Sequence, residues 1–153
     1  MTFPVNNSVT ATWFNTLMND LLSIQSYGQQ ITTSTAGGGA VASQTVLNLA
    51  TWCVSLRSDI ATVAANTTLE TALVTYFQQQ LNTTSLQITT EFGTLNTLAG
   101  NILTALGTDY PHDSNGFLAD RTFNLSTGLV WVSLTAAQLP NTMPAIAAFN
   151  AEL

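Results

Sequence analysis

The chain has 153 residues, 46% of them hydrophobic, enough for one compact domain or one rod with a small head and too few for two full-sized domains. Eight carboxylates face only Arg57 and Arg121, and there is no lysine, so the net charge is -6 although just 7% of residues are charged, against roughly 25% in an average globular chain. This balance argues against direct nucleic-acid binding, which needs clustered Lys and Arg; the absence of an apolar run near 18 residues argues against a membrane span, and a mean hydropathy of +0.26 against disorder. Surface polarity must come from Thr, Ser, Asn and Gln, whose neutral groups repel one another far less than charges do. The composition therefore predicts a protein packed among neighbours. Cys53 is the lone cysteine, and Met1-Thr2-Phe3-Pro4 lacks the basic and apolar regions of a secretory signal, so neither a disulfide framework nor export is expected.

In chain order, Ser8 to about Gln30 carries two adjacent apolar rows, Trp13, Leu17, Leu21 and Ile24 beside Phe14, Met18 and Leu22, the stripe of an amphipathic helix with Ser8 or Thr10 as its N-cap. Thr32 to Gly39 reads TTSTAGGG and is expected to end the helix and form a flexible link. From there a heptad register runs to Ala105. Its first row is Val46, Cys53, Ile60, Thr67, Val74, Leu81, Ile88, Leu95 and Ile102. Its second is Leu49, Leu56, Val63, Glu70, Phe77, Thr84, Glu91, Leu98 and Ala105. Two architectures fit this pattern. One is a bundle of separate helices, favoured by capping-box forms at Thr67-Thr68-Leu69-Glu70 and Thr84-Ser85-Leu86-Gln87. The other is a continuous coiled-coil rod of roughly 90 Å at 1.5 Å per residue, favoured by a register that does not slip at Thr67.

After Gly107 a turn cluster ends the last long helix. Phe117 to Asn124 and Leu129 to Val132, flanking Ser126-Thr127-Gly128, read as a β-hairpin. Thr135-Ala136-Ala137-Gln138 is a further capping-box form; Pro140 and Pro144 are expected to break the helix it opens before a last helix over about Ala145 to Ala151. The fold class is thus mainly α, a helical bundle with a coiled-coil seam as the variant, then a small β-hairpin and a short C-terminal helix. Residues 1-108 form the helical region, with its Gly-rich link at 32-39, and 109-153 the turn, hairpin and tail.

No reaction emerges from the polar residues, and neither a cofactor nor a metal is expected. Asp113, Asn115 and Gly116 imitate positions 3, 5 and 6 of an EF-hand loop, but Pro111 and Thr122 stand where the first carboxylate and the bidentate Glu belong, so Asx-type turn bonding is the better reading. His112 is the one histidine, and as a loop residue it reads as solvated rather than as a catalytic base. Cys53 on the seam reads as a small hydrophobe, and Glu70 and Glu91 as caps or polar rim residues rather than an acid pair. Arg57 and Arg121 are either exposed or paired with carboxylates of a neighbouring copy. Trp13, Trp52 and Trp131 read as core or subunit-contact anchors. The candidates for self-association or partner contact are Val46, Leu49, Leu56, Ile60, Val74, Leu81, Ile88, Leu95 and Ile102 on the seam, with Phe117, Phe123 and Trp131 on the hairpin.

The order Tyr110-Pro111-His112-Asp113-Ser114-Asn115-Gly116-Phe117-Leu118, then Thr122-Phe123, Gly128, a short apolar strand and Leu134-Thr135-Ala136-Ala137-Gln138, resembles small virion-associated proteins of tailed bacteriophages. In those proteins a helical N-terminal half leads into an aromatic-Pro-x-Asp-x-Asn-Gly turn, a hairpin and a C-terminal helix. The resemblance covers about a third of the chain, and the proline pair at 140 and 144 departs from it. It implies a non-enzymatic capsid, neck or tail component, made in the host cytoplasm and located in the virion, whose partners are its own copies and other virion proteins. A trimeric fibre, or a host-surface or glycan-binding module that uses the hairpin aromatics, is the alternative.

Overall fold

A computed structural model describes residues 7–82, 84–109 and 133–153. The first helix, α1 (Asn7–Thr35), buries Leu17, Leu21, Ile24 and Ile31 and turns Leu22 outward. Trp13, Phe14 and Met18 pack half-buried on the core. Ser8 and Thr10 lie inside the first turns rather than at the cap; the Ser8 carbonyl already accepts a hydrogen bond from Thr12 Oγ1 at 2.8 Å.

The segment expected to be a flexible link is ordered instead. The helix runs on through Thr35 because Ile31 and Thr35 are buried, and the Thr32 and Thr35 hydroxyls bond to the carbonyls of Gly28 and Ile31, so tertiary burial overrides weak propensity. A 3-10 turn over Ala36–Gly38 follows, in which Gly37 and Gly38 adopt φ of 63° and 85°, values that side chains oppose. The chain then enters a short strand, β1 (Ala40–Ala42), which pairs antiparallel with β2 (Ser133–Thr135), Val41 opposite Leu134 and both buried. This two-stranded sheet joins distant parts of the chain. The hairpin expected over 117–132 lies outside the described residues.

The seam is divided into three helices, α2 (Ser43–Ala64), α3 (Thr67–Leu81) and α4 (Ser85–Asp109). Both expected breaks are present, so residues 46–105 form packed helices and not a 90 Å rod. The first cap sits one residue earlier than the Thr67 reading. Asn66 Oδ1 accepts from the Leu69 N–H at 3.1 Å. At the second, Thr84 and Gln87 form the reciprocal box, the Thr84 N–H donating to Gln87 Oε1 and the Gln87 N–H to Thr84 Oγ1. Between them Asn82 closes α3 in the left-handed conformation that Asn tolerates better than most residues, at φ 53°.

The last helix, α5 (Thr142–Glu152), starts earlier than expected because Pro144 falls in its first turn, where a missing N–H costs nothing. The Thr135–Gln138 box is formed but opens only a 3-10 turn. What caps α5 is Asp109, at the far end of α4. Its carboxylate accepts from the Asn141 N–H, Asn141 Nδ2, Thr142 N–H and Thr142 Oγ1, all within 2.8 Å. Helix α5 lies on α4 and α1; it approaches α1 so closely that a Cβ on Gly28 would meet the Ile146 methyl at 2.9 Å. At the other end of the bundle, Phe14, Phe77 and Phe92 join α1, α3 and α4 in tilted and edge-on ring contacts, with centroids 4.6 and 5.0 Å apart.

Candidate functional site

The candidate contact residues separate by burial. Val46, Leu49, Leu56, Val74, Ile88, Leu95 and Ile102 lie in the chain's own core, where α1 and the other seam helices cover them. Ile60 is half-buried, and Leu81, 54% exposed at the end of α3, presents its side chain outward. Phe117, Phe123 and Trp131 lie outside the described residues.

What covers the outer faces is threonine. Thr12, Thr62, Thr71, Thr89, Thr97 and Thr108 are exposed, yet each donates its hydroxyl proton to the backbone carbonyl four residues earlier, at 2.8–3.2 Å. These donors are already satisfied within the helix. A surface of this kind holds water weakly compared with one of Lys and Glu, and its desolvation by a neighbour is correspondingly cheap.

Two carboxyl pairs bridge helices. Asp20 on α1 is 2% exposed. Its Oδ1 accepts from Ser55 Oγ on α2 at 3.0 Å, its Oδ2 is buried with no donor, and its carboxyl faces Asp59. Burial first, then the hydrogen bond with Asp59, raises Asp20 from 3.8 to about 7. Glu91 on α4, half-buried, has the exposed Glu152 of α5 as its acidic neighbour; among the described residues its Oε2 is buried without a donor, and burial followed by Glu152 raises it from 4.5 to about 7. Glu91 is thus a half-buried rim residue whose acidic neighbour is Glu152 and not Glu70. Its partner comes from the other end of the chain. Glu70 instead lies in the first turn of α3, behind the Asn66 cap, and borders an apolar groove of about 200 Å³ between α1, α2, α3 and α4.

That groove is lined by Leu17, Ile60, Val63, Val74 and Phe92 and opens at Gly93, an exposed glycine inside α4 whose added Cβ would meet nothing within 4 Å. Replacing Gly93 with Ala is therefore expected to stabilise the chain by about 1 kcal/mol through helix propensity and a less free unfolded state, read as a rise in the urea midpoint without a change in slope. A fall in the midpoint would show that the backbone at 93 needs glycine.

Burial pushes the Cys53 thiol up to about 12, so it is a packing residue and not a nucleophile. Arg57 donates through Nε to Asn96 Oδ1 at 3.3 Å and lies across Gly100, where a Cβ would come within 3.0 Å of its Nη1; it tethers α2 to α4. Trp13 and Trp52 pack half-buried against the core. His112, Arg121, Trp131 and the loop that imitates an EF-hand beyond Asp109 lie outside the described residues, and Asp109 itself is engaged on α5. Among the described residues no three His, Cys, Asp or Glu side chains gather as metal ligands, and no helix is long and apolar enough to cross a membrane. Comparison of the chain with protein-family models, with curated proteins and with solved structures gives no match.

Proposed function

We propose that this chain is a non-enzymatic structural protein of a tailed-phage particle, a capsid, neck or tail component that works by associating with copies of itself and with other virion proteins. The observation that carries the reading is the outer surface. It is almost uncharged, and the hydroxyls of exposed threonines such as Thr12, Thr71 and Thr97 are satisfied within their own helices, so at those positions a neighbouring protein can approach without displacing tightly held water or burying unpaired donors. The similarity of Tyr110 to Gln138 to virion-associated phage proteins supplies the phage setting. Binding of nucleic acid and of membranes is left to other components, since the chain has two arginines and no lysine with which to neutralise phosphates.

Contacts of this kind are insensitive to ionic strength, because few charges are involved. Sedimentation velocity over a range of protein concentrations is expected to show reversible self-association that persists in about 1 M salt, where the Debye length is only about 3 Å. A species that stays monomeric at every concentration, or oligomers that dissolve as salt is added, would overturn association through a neutral surface.

A further inference from the structure

We propose that the carboxyl pairs Asp20–Asp59, between α1 and α2, and Glu91–Glu152, between α4 and α5, are proton-sharing clasps that tighten the bundle in mildly acidic solution and release it as the solution turns alkaline. Among the described residues Asp20 Oδ2 and Glu91 Oε2 are buried without a donor. The Ser55 hydroxyl lies 3.0 Å from Asp20 Oδ1 and 3.5 Å from Asp59 Oδ2, between the two acids, and the acidic neighbour of Glu91 is Glu152. A second carboxyl can donate only if one of the two is protonated.

No cation stands in for that proton among the described residues. Helix α1 is packed by α2, α3, α5 and β1. Toward Asp20, α2 turns Asp59 and the Ser55 hydroxyl, while Arg57 is committed to Asn96 and Cys53 stays a neutral thiol. Of the other groups, Glu70 on α3 borders the groove, Tyr76 packs its ring at a tilt against Phe14, Glu152 on α5 neighbours Glu91, β1 has no ionisable residue, and Tyr27 lies two turns along α1 itself. Glu91 is packed through α4 against α2, α3 and α5, whose ionisable groups are those just placed, and of these Glu152 alone acts on it.

The direction follows from linkage. Asp20 takes up its proton near 7 in the folded chain and near 3.8 in the unfolded one, and Glu91 near 7 against 4.5. Between those values the folded state binds more protons than the unfolded state. The stabilisation is therefore complete below the unfolded values and is lost as pH rises through about 7. Each pair joins two helices, so its loss loosens a helix interface rather than a loop.

The test is the pH dependence of stability of the full chain, wild type against Asp20→Asn, Glu91→Gln and the double variant. From about pH 5 to about pH 8 the wild-type unfolding constant is expected to rise about tenfold or more for each pair; each single variant should lose one pair's share of that dependence, and the double variant most of it. A wild-type stability that is flat or rises over this range, or variants that keep the full dependence, overturns the proposal. Carbon-detected NMR titration of the wild-type carboxyl groups covers the case in which a variant does not fold. Midpoints near 7 for Asp20 and Glu91 are expected, and midpoints near 4 overturn the shared proton.

Discussion

Truncating Phe149 to alanine is expected to lower the unfolding free energy by about 3–5 kcal/mol, the range for an aromatic ring removed from a sealed core. Phe149 is 0% exposed and is the largest fully buried side chain among the described residues. It sits on α5, an 11-residue helix too short to hold together without tertiary contacts, and that helix lies on α4 and α1. The ring therefore anchors the helix as well as filling space. Neighbours such as Ile146 and Leu139 are fixed by the same interface and cannot close over the void without moving α5. Chemical denaturation reads the effect as a lower midpoint with an unchanged slope, together with faster amide exchange confined to α5. A loss below about 1 kcal/mol would mean that α5 does not depend on this contact.

The second large effect is expected at Asp109. Its carboxylate holds two backbone N–H groups and two side-chain donors at the start of α5, places negative charge at a helix N-terminus and ties the end of α4 to that start. Asp109→Ala leaves Thr142, itself buried, without its acceptor, and is expected to cost about 2–3 kcal/mol, more than an ordinary cap because charge-assisted bonds to several donors are lost together. Asp109→Asn keeps one acceptor oxygen and removes the charge, so it should fall between wild type and Ala. Equal stability of wild type and Ala in thermal melts would remove Asp109 from the capping role.

The helical part of the fold was legible because its signal is local and periodic. The apolar rows through Leu17 and Ile24, and the register from Val46 to Ile102, record burial that recurs each turn; the Thr84 cap lies within three residues of the group it satisfies, and the break before α3 was legible although its cap is Asn66 and not Thr67. The same periodicity could not say whether another chain or the same chain covers the seam. That depends on chain reversal at two breaks, after Ala64, where an extended Asn66 caps the next helix, and at Asn82, where a left-handed residue ends α3. Local reading failed where a distant partner decides. Thr32–Thr35 stays helical because Ile31 and Thr35 are buried, and Gly39 leads into a strand because Ser133–Thr135 pairs with it from the far end of the chain.

The acid pairs were hidden for the same reason. Asp20 and Ser55 are 35 residues apart, and Glu91 meets a residue of the last helix; no spacing rule connects them. The lone signal in the sequence was negative, eight carboxylates with two arginines to serve them, which obliges some carboxyls that become buried to find each other. The Thr-rich surface, in contrast, was plain from composition. Its inward-turned hydroxyls follow from helix geometry, once the helices are placed, because the carbonyl four residues back lies directly beneath each threonine.

The most direct test of the proposed virion role is quantitative mass spectrometry of gradient-purified phage particles from a lysate in which the chain is expressed, compared with that lysate. A structural component is expected in the particles at a fixed copy ratio to the major shell protein, unchanged by washing in high salt. A chain abundant in the lysate and missing from the particles would contradict a virion role.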